Sequence, residues 1–174
     1  MTSKPRIGIF IPTFQASETV IQILKKIPET IWKNAEEIFI QDNHSDDGTY
    51  ELVINFRKVQ GLNKLKIKRF SKNYGYGGSL KRAFSYSIEK KFDVMVVLHS
   101  DGQYPSDRIE ELVNLIISFD YDMVQGSRVN RSAGGMPFYK LLGNNFLNWI
   151  EKFVFGFQLK EYHSGFNAYR CESL

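Results

Sequence analysis

Val94-Met95-Val96-Val97-Leu98-His99-Ser100-Asp101-Gly102-Gln103-Tyr104-Pro105 decides how the chain is read. Five apolar residues run unbroken and stop at a polar turn containing Gly and Pro. An apolar run of this length, without alternation, is the pattern of a strand buried on both faces of a parallel sheet. Ligands of open α/β sheets bind beyond the carboxyl ends of such strands. Asp101 and Gln103 fall there, in a loop. A carboxylate and an amide carbonyl are hard oxygen donors, suited to Mg²⁺ or Mn²⁺ held jointly with a substrate phosphate. The same residues also suit an ordinary turn.

The stretches before this strand repeat one pattern. Residues 7–11, closed by Pro12-Thr13, form a first buried strand, and residues 37–41 a second. Between them Ser17 is placed to cap a helix carrying Val20, Ile23, Leu24 and Ile27 up to Pro28. Asp42-Asn43-His44-Ser45-Asp46-Asp47-Gly48-Thr49 is a dense turn. A helix with Leu52, Val53 and Phe56 inward follows it. Residues 65–70 alternate apolar and basic, the mark of a strand near the sheet edge. Asn73-Tyr74-Gly75-Tyr76-Gly77-Gly78-Ser79 leads into a helix with Leu80, Ala83, Phe84 and Ile88 inward. It lacks the Gly-Lys-Ser/Thr ending of a P-loop, which favours a structural turn.

After the central strand, Asp107 and Glu110 have capping-box spacing ahead of the stripe Ile109, Leu112, Val113 and Ile116. Residues 121–126 form a fifth strand, 127–137 a Gly-rich loop with Arg128 and Arg131, 139–155 a helix, and 165–170 a last strand. Alternating strands and helices imply a Rossmann-like, mostly parallel sheet with helices on both faces. The polar loops around Pro12, Asp42 and Asp101 then share one edge.

The chain has 174 residues, enough for one domain over 1–174 with a full core. Its 43% hydrophobic and 24% charged residues exclude a disordered chain. No apolar run approaches the ~18 residues of a membrane span, and residues 1–6 are polar, without signal-peptide character. Cys171 is the only cysteine, so an internal disulfide is impossible. A net charge of +4 is compatible with a nucleotide diphosphate, an anionic lipid surface or a nucleic acid, and separates none of them. Lys64, Lys66, Lys68, Arg69 and Lys72 read as a solvated face or, alternatively, a membrane patch.

Pro12-Thr13-Phe14-Gln15 resembles the Pro-Thr-Tyr-Asn opening of the family 2 glycosyltransferases, which have the GT-A fold. Residues 42–49 are similar to that family's Asp-Asp-Gly-Ser-x-Asp-Gly-Thr. His99-Ser100-Asp101-Gly102-Gln103 occupies the place of its Asp-x-Asp-x-Gln metal motif. Gly126-Ser127-Arg128, Gly134-Gly135-Met136-Pro137 and His163-Ser164-Gly165-Phe166 resemble later motifs of the dolichyl- or polyprenyl-phosphate sugar transferase branch.

The resemblance implies roles by position. Pro12, Phe14 and Asp42 would contact the base and ribose of a nucleotide sugar. Asp101 and Gln103 would hold Mg²⁺ or Mn²⁺ on the diphosphate. Arg128 and Lys140 would meet phosphate oxygens. Three residues depart from the pattern: Asn43 replaces the second Asp of the pair, His99 replaces the first Asp of the metal motif, and Asn167 stands where Arg or Lys is frequent. A neutral imidazole at residue 99 can bond the ribose or ligate metal, but it adds no negative charge.

The implied reaction is inverting displacement at a sugar anomeric carbon. The implied acceptor is a polyprenyl phosphate, with a saccharide hydroxyl using Glu161 as base the alternative. A cytoplasmic enzyme peripheral to the cytoplasmic face of a membrane is implied, acting in cell-envelope biosynthesis without a nucleic-acid partner. So is a membrane-associating tail beyond Leu174. A sugar nucleotidyltransferase and a non-catalytic nucleotide-binding protein are the competing classes. The former needs a Gly- and Arg-containing loop after the first strand, and residues 12–17 contain neither.

Overall fold

In a computed structural model, residues 4–102, 104–126, 154, 156 and 164–174 are described. Six strands form one sheet: β1 (Ile7–Thr13), β2 (Glu37–Asp42), β3 (Leu65–Arg69), β4 (Val94–Val97), β5 (Met123–Gln125) and β6 (Asn167–Arg170). The α-helices bounded within the described residues are α1 (Val20–Lys26), α2 (Glu29–Asn34), α3 (Thr49–Val59), α4 (Gly75–Glu89) and α5 (Ile109–Phe119). The sheet order is β3-β2-β1-β4-β6-β5. β1 pairs in parallel with β2 and β4, and β2 in parallel with β3. β6 lies antiparallel between β4 and β5.

The unbroken apolar run is explained by the two faces of β4. Val94, Val96 and Leu98 point into a core made with α1, α2, α3 and α5, whose contributions include Leu24, Ile31, Val53 and Ile116. Met95 and Val97 point into a second core with Phe10, Phe39, Phe92 and Ala83 of α4. Each fully buried Val or Met side chain here contributes about 1.5–3 kcal/mol relative to exposure. On the α4 side the Phe10 and Phe39 rings stack with centroids 5.3 Å apart. Helices thus cover both faces, as the alternation implies, and β3 is the basic edge strand.

Several local expectations are corrected. Ser17 does not cap α1. The preceding position is Thr19, without a side-chain cap, and the Ser17 amide instead donates to Asp47 Oδ2 at 2.9 Å. The Asp107–Glu110 capping box is absent. Ser106–Arg108 tighten into a 3₁₀ turn and the Ser106 hydroxyl donates to the Lys26 carbonyl at 2.7 Å. Leu52 and Ile88 are exposed rather than inward, while Val53 and Ala83 carry their helices' buried faces. α2 follows Pro28 unannounced, because six residues are too few for periodicity to register. The loop expected over 127–137 and the helix expected over 139–155, apart from Val154, lie outside the described residues.

β1 continues through Pro12 and Thr13, further than the apolar run indicates. A proline removes a donor from a central strand. Even-numbered residues of β1 face β4, as the Leu98 amide bonding the Phe10 carbonyl at 2.9 Å shows. The paired register ends at Phe10–Val97, so Pro12 lacks its amide where β4 has already ended.

Candidate active site

The carboxyl ends of β1, β2 and β4 bring three loops together, and short bonds between them fix the crevice. The Ser100 hydroxyl donates to the Pro12 carbonyl at 3.0 Å, joining the first loop to the third. The Asn43 amide donates to the Thr13 carbonyl at 2.8 Å. The Gln15 amide donates to Ser45 Oγ at 2.9 Å, its side chain to Asp46 Oδ1 at 2.5 Å, and the Ala16 amide to Thr49 Oγ1 at 3.0 Å. Ser45, Asp46 and Asp47 therefore act structurally, stitching loop to loop. Gly48, with φ of 84°, holds the position before α3 without a side-chain cap.

Asp47 shows the cost and gain of this stitching. Partial desolvation raises its carboxyl pKa. Hydrogen bonds from the Thr49 side chain and from the Ser17 and Thr49 amides outweigh that and hold it at about 2. Asp42 is fully buried. Its Oδ1 accepts from the Ser45 amide at 3.2 Å and from the Ser45 hydroxyl. Among the described residues Oδ2 has no hydrogen bond, but it lies 3.6 Å from Arg69 Nε, whose positive charge offsets the buried carboxylate.

Asn43 has a structural reason to be an amide. Its Nδ2 donates to Asn73 Oδ1 at 2.6 Å, while its Oδ1 accepts from the Tyr74 amide at 2.9 Å. A carboxylate cannot make the first bond. The pair clamps the Gly-rich turn, where Gly75 takes a φ of 71°, beside the Asp42 loop. The turn is structural, as the missing P-loop ending indicates, yet it also delivers Tyr76 to the crevice.

His99 lies between two tyrosines. Its ring centroid is 5.2 Å from that of Tyr76 and 5.4 Å from that of Tyr104, and Tyr104 stacks on Phe166 at 5.6 Å. The Tyr104 hydroxyl accepts from the Gly165 amide at 2.8 Å. A Cβ on Gly165 would stand 2.8 Å from His99 Cε1 and nearer still to Nε2, so glycine there makes room for the imidazole. Sequence reasoning assigns Tyr76, Tyr104 and Gly165 no role of their own; the local signal for Tyr76 is a tyrosine flanked by Gly75 and Gly77, and Gly165 stands inside the His163-Ser164-Gly165-Phe166 motif.

Phe14 is 49% exposed at the end of β1, an aromatic face open to a planar base. Pro12 is half-buried behind it, and Asp101 is exposed beyond β4. Gly102, with φ of 74°, supplies the left-handed turn that follows. The structure thus places Pro12, Phe14, Asp42, His99 and Asp101 around one edge. Gln103, Arg128, Arg131, Lys140 and Glu161 lie outside the described residues.

Among the described residues no group of three His, Cys, Asp or Glu side chains is placed to hold a metal. A divalent ion bound through one carboxylate and a substrate diphosphate needs no such group, and Mg²⁺ is commonly held in that way. The exposed Asp101 carboxylate at the strand end fits that donor set. Among the described residues no helix is long and apolar enough to cross a membrane.

Comparison with known proteins gives this edge a context. Residues 8–174 match the family described as Glycosyl transferase family 2. The UDP-N-acetylglucosamine–dolichyl-phosphate N-acetylglucosaminyltransferase of Methanococcus voltae is 24% identical over 180 residues, covering 97% of this chain and 70% of its own length. The undecaprenyl-phosphate mannosyltransferase of Micrococcus luteus is 24% identical over 173 residues, covering 97% and 68%. A mannosyltransferase from Pyrobaculum calidifontis, solved in complex with GDP-Man and Mn²⁺, superposes with a TM-score of 0.69 at 17% identity. That likeness covers 97% of this chain but 45% of the solved one, so the chain spans under half of that structure. The sheet, the helices on both faces and this likeness make the fold GT-A. With the family matched over nearly its whole length, the chain belongs to glycosyltransferase family 2.

Proposed function

We propose that the chain is the catalytic domain of an inverting glycosyltransferase that moves a sugar from a nucleotide sugar to a polyprenyl phosphate. The observation that carries the reading is the convergence of Phe14, Asp42, His99 and Asp101 at the carboxyl edge of a family 2 fold. The acceptor class is supported by two relatives named for dolichyl-phosphate and undecaprenyl-phosphate transfer. Their names carry different sugars, N-acetylglucosamine and mannose, so the donor sugar is left open.

Phe14 and Pro12 would hold the base, and Asp42 would contact base or ribose from the end of β2. Asp101 and Gln103 would hold Mg²⁺ or Mn²⁺, and Arg128 and Lys140 would bind phosphate oxygens. The bound metal supplies charge neutralisation to the diphosphate leaving group. An acceptor phosphate oxygen bonds to the anomeric carbon as the bond from that carbon to the diphosphate oxygen breaks. The electron pair leaves with the nucleoside diphosphate, which gains about one negative charge, and Arg128 and Lys140 would stabilise it. A phosphate monoester already carries about −1.5 to −2 charges at pH 7 and attacks without a base. A hydroxyl acceptor would need one, and Glu161 is the candidate.

The enzyme would work from the cytoplasm, peripherally at the membrane face. The test offers radiolabelled nucleotide sugars with either a short polyprenyl phosphate or oligosaccharides. Transfer to the lipid phosphate is expected, and transfer to a hydroxyl that is lost in Glu161→Gln overturns the acceptor. Asp101→Ala should remove the Mn²⁺-dependent part of nucleoside diphosphate stabilisation in thermal shifts while the unliganded melting point holds. Unchanged stabilisation would refute the role of Asp101.

A further inference from the structure

α4 covers only part of its sheet face. Glu37, Phe39 and Gln41 of β2 and Lys66 and Lys68 of β3 line the strip beside it. A cleft of about 530 Å³ lies between β3 and α4 near the carboxyl edge, lined by Gln41, Lys68, Arg82 and Ser85 among others. It shares Gln41, Lys68 and Tyr86 with a second cleft of about 300 Å³ toward the other edge. Both volumes are in the range of small-ligand sites.

Two independent features point to a ligand. The first is Gln41, which is 5% exposed and whose Oε1 is buried without a hydrogen-bond partner among the described residues. Buried acceptors are rarely left in that condition, and this one calls for a donor. The second is charge. Lys66, Lys68, Arg82 and Lys90 line the two clefts, and none forms an ion pair among the described residues. Arg82 is held in place, its guanidinium 3.6 Å from the Tyr74 ring centroid and bonded to the Gly78 carbonyl at 3.0 Å. Two carboxylates oppose this charge: Glu89, and Glu37, which accepts from the Tyr86 hydroxyl at 2.5 Å. Lysines on an edge strand guard against strand pairing. That accounts for Lys66 and Lys68, but not for Gln41 or Arg82.

We propose that this cleft is a second binding site, for a phosphate ester bearing a neighbouring hydroxyl. The phosphate meets Lys68 and Arg82 from opposite walls, and the hydroxyl donates to Gln41 Oε1. That chemistry belongs both to the headgroup of an anionic glycerophospholipid and to a free polyol phosphate. None of Pro12, Phe14, Asp42, His99 and Asp101 lines the cleft, although Arg69, the counter-charge of Asp42, does, and the proposal does not depend on the transfer reaction proposed above.

The test titrates the full chain, saturated with nucleoside diphosphate and Mn²⁺, against two probes. One is glycerol 3-phosphate. The other is vesicles of phosphatidylcholine with or without phosphatidylglycerol. Binding of either probe that weakens roughly tenfold or more in Lys68→Glu, the loss of a charge-assisted bond, supports the site. Preference for vesicles identifies a lipid headgroup, and preference for the soluble ester a free ligand. Gln41→Leu keeps every charge and should bind several-fold more weakly with an undiminished melting point. The proposal is overturned if neither probe binds. It is also overturned if Gln41→Leu binds like the parent, or if Lys58→Glu, on the exposed side of α3, weakens binding as much as Lys68→Glu.

Discussion

Gly165→Ala tests the packing of His99 directly. The added methyl would sit 2.8 Å from Cε1 and 3.0 Å from Cδ2 of the imidazole, and closer to Nε2. Carbon contacts settle at about 3.5–4.0 Å, so the ring must retreat by roughly 1 Å. It has little room, with Tyr76 and Tyr104 centroids 5.2 and 5.4 Å away. The backbone has little room either, since the Gly165 amide is bonded to the Tyr104 hydroxyl. Gly165 is absent from the positive-φ residues, so the penalty is steric alone. Overpacking of this kind costs about 1–3 kcal/mol. At about 2–4 °C per kcal/mol for a chain of this size, the melting point should fall by roughly 2–12 °C. The assay is a double-mutant cycle by urea unfolding, with His99→Ala as the second substitution. Removing the imidazole removes the clash, so Gly165→Ala should be nearly silent in that background, giving a coupling of about 1 kcal/mol or more. Additivity within ~0.5 kcal/mol would refute the reasoning, because it would mean that the methyl and the ring do not meet.

Two further outcomes follow from ionisation. Asp47 has its folded-state pKa depressed from 3.8 to about 2. Its stabilising contribution is present above pH 3.8 and lost as the pH falls toward 2. The difference in urea midpoint between the parent and Asp47→Asn should therefore shrink across that window, and a constant difference would contradict it. Burial, with Asp93 nearby, pushes the Cys171 thiol up to about 12. Labelling by a thiol reagent at pH 8 should be slow in the folded chain and rapid in urea. Rapid labelling of the folded chain would show that the site between α4 and β6 is open.

What the sequence made legible was what local periodicity encodes. Val94 to Leu98 and residues 7–11 and 37–41 announced buried strands because both faces of each are covered. The basic alternation of Lys66 and Lys68 announced the edge. Phe14, Asp42 and Asp101 could be placed at the carboxyl ends of strands because loop chemistry at strand ends is local. What was hidden depends on distant partners. Nothing near Asn167 says that it will pair antiparallel to Val97 and lie between β4 and β5. Ser17 and Asp107 looked like caps, yet Ser17 serves a carboxylate in another loop and Asp107 lies in a 3₁₀ turn. Asn43 departed from the family pattern, and its reason lay in Asn73, thirty residues away and invisible to spacing.

The placement of β6 has a consequence for how the chain is made. Among the described residues, 4–126 supply every strand but one, and each parallel pairing can form while synthesis proceeds. The strand next to β4 on its other side is translated last of the six. Until Asn167–Arg170 leaves the ribosome, Val94–Val97 presents an open edge of bare amides and carbonyls flanked by apolar side chains, and β5 lacks β6, its pairing partner among the described residues. A nascent chain stalled before Asn167 would therefore hold the binding loops of β1 and β2 in place but leave the loop of Asp101 on an unsealed strand. Such a chain is the natural client of a chaperone that recognises extended apolar segments.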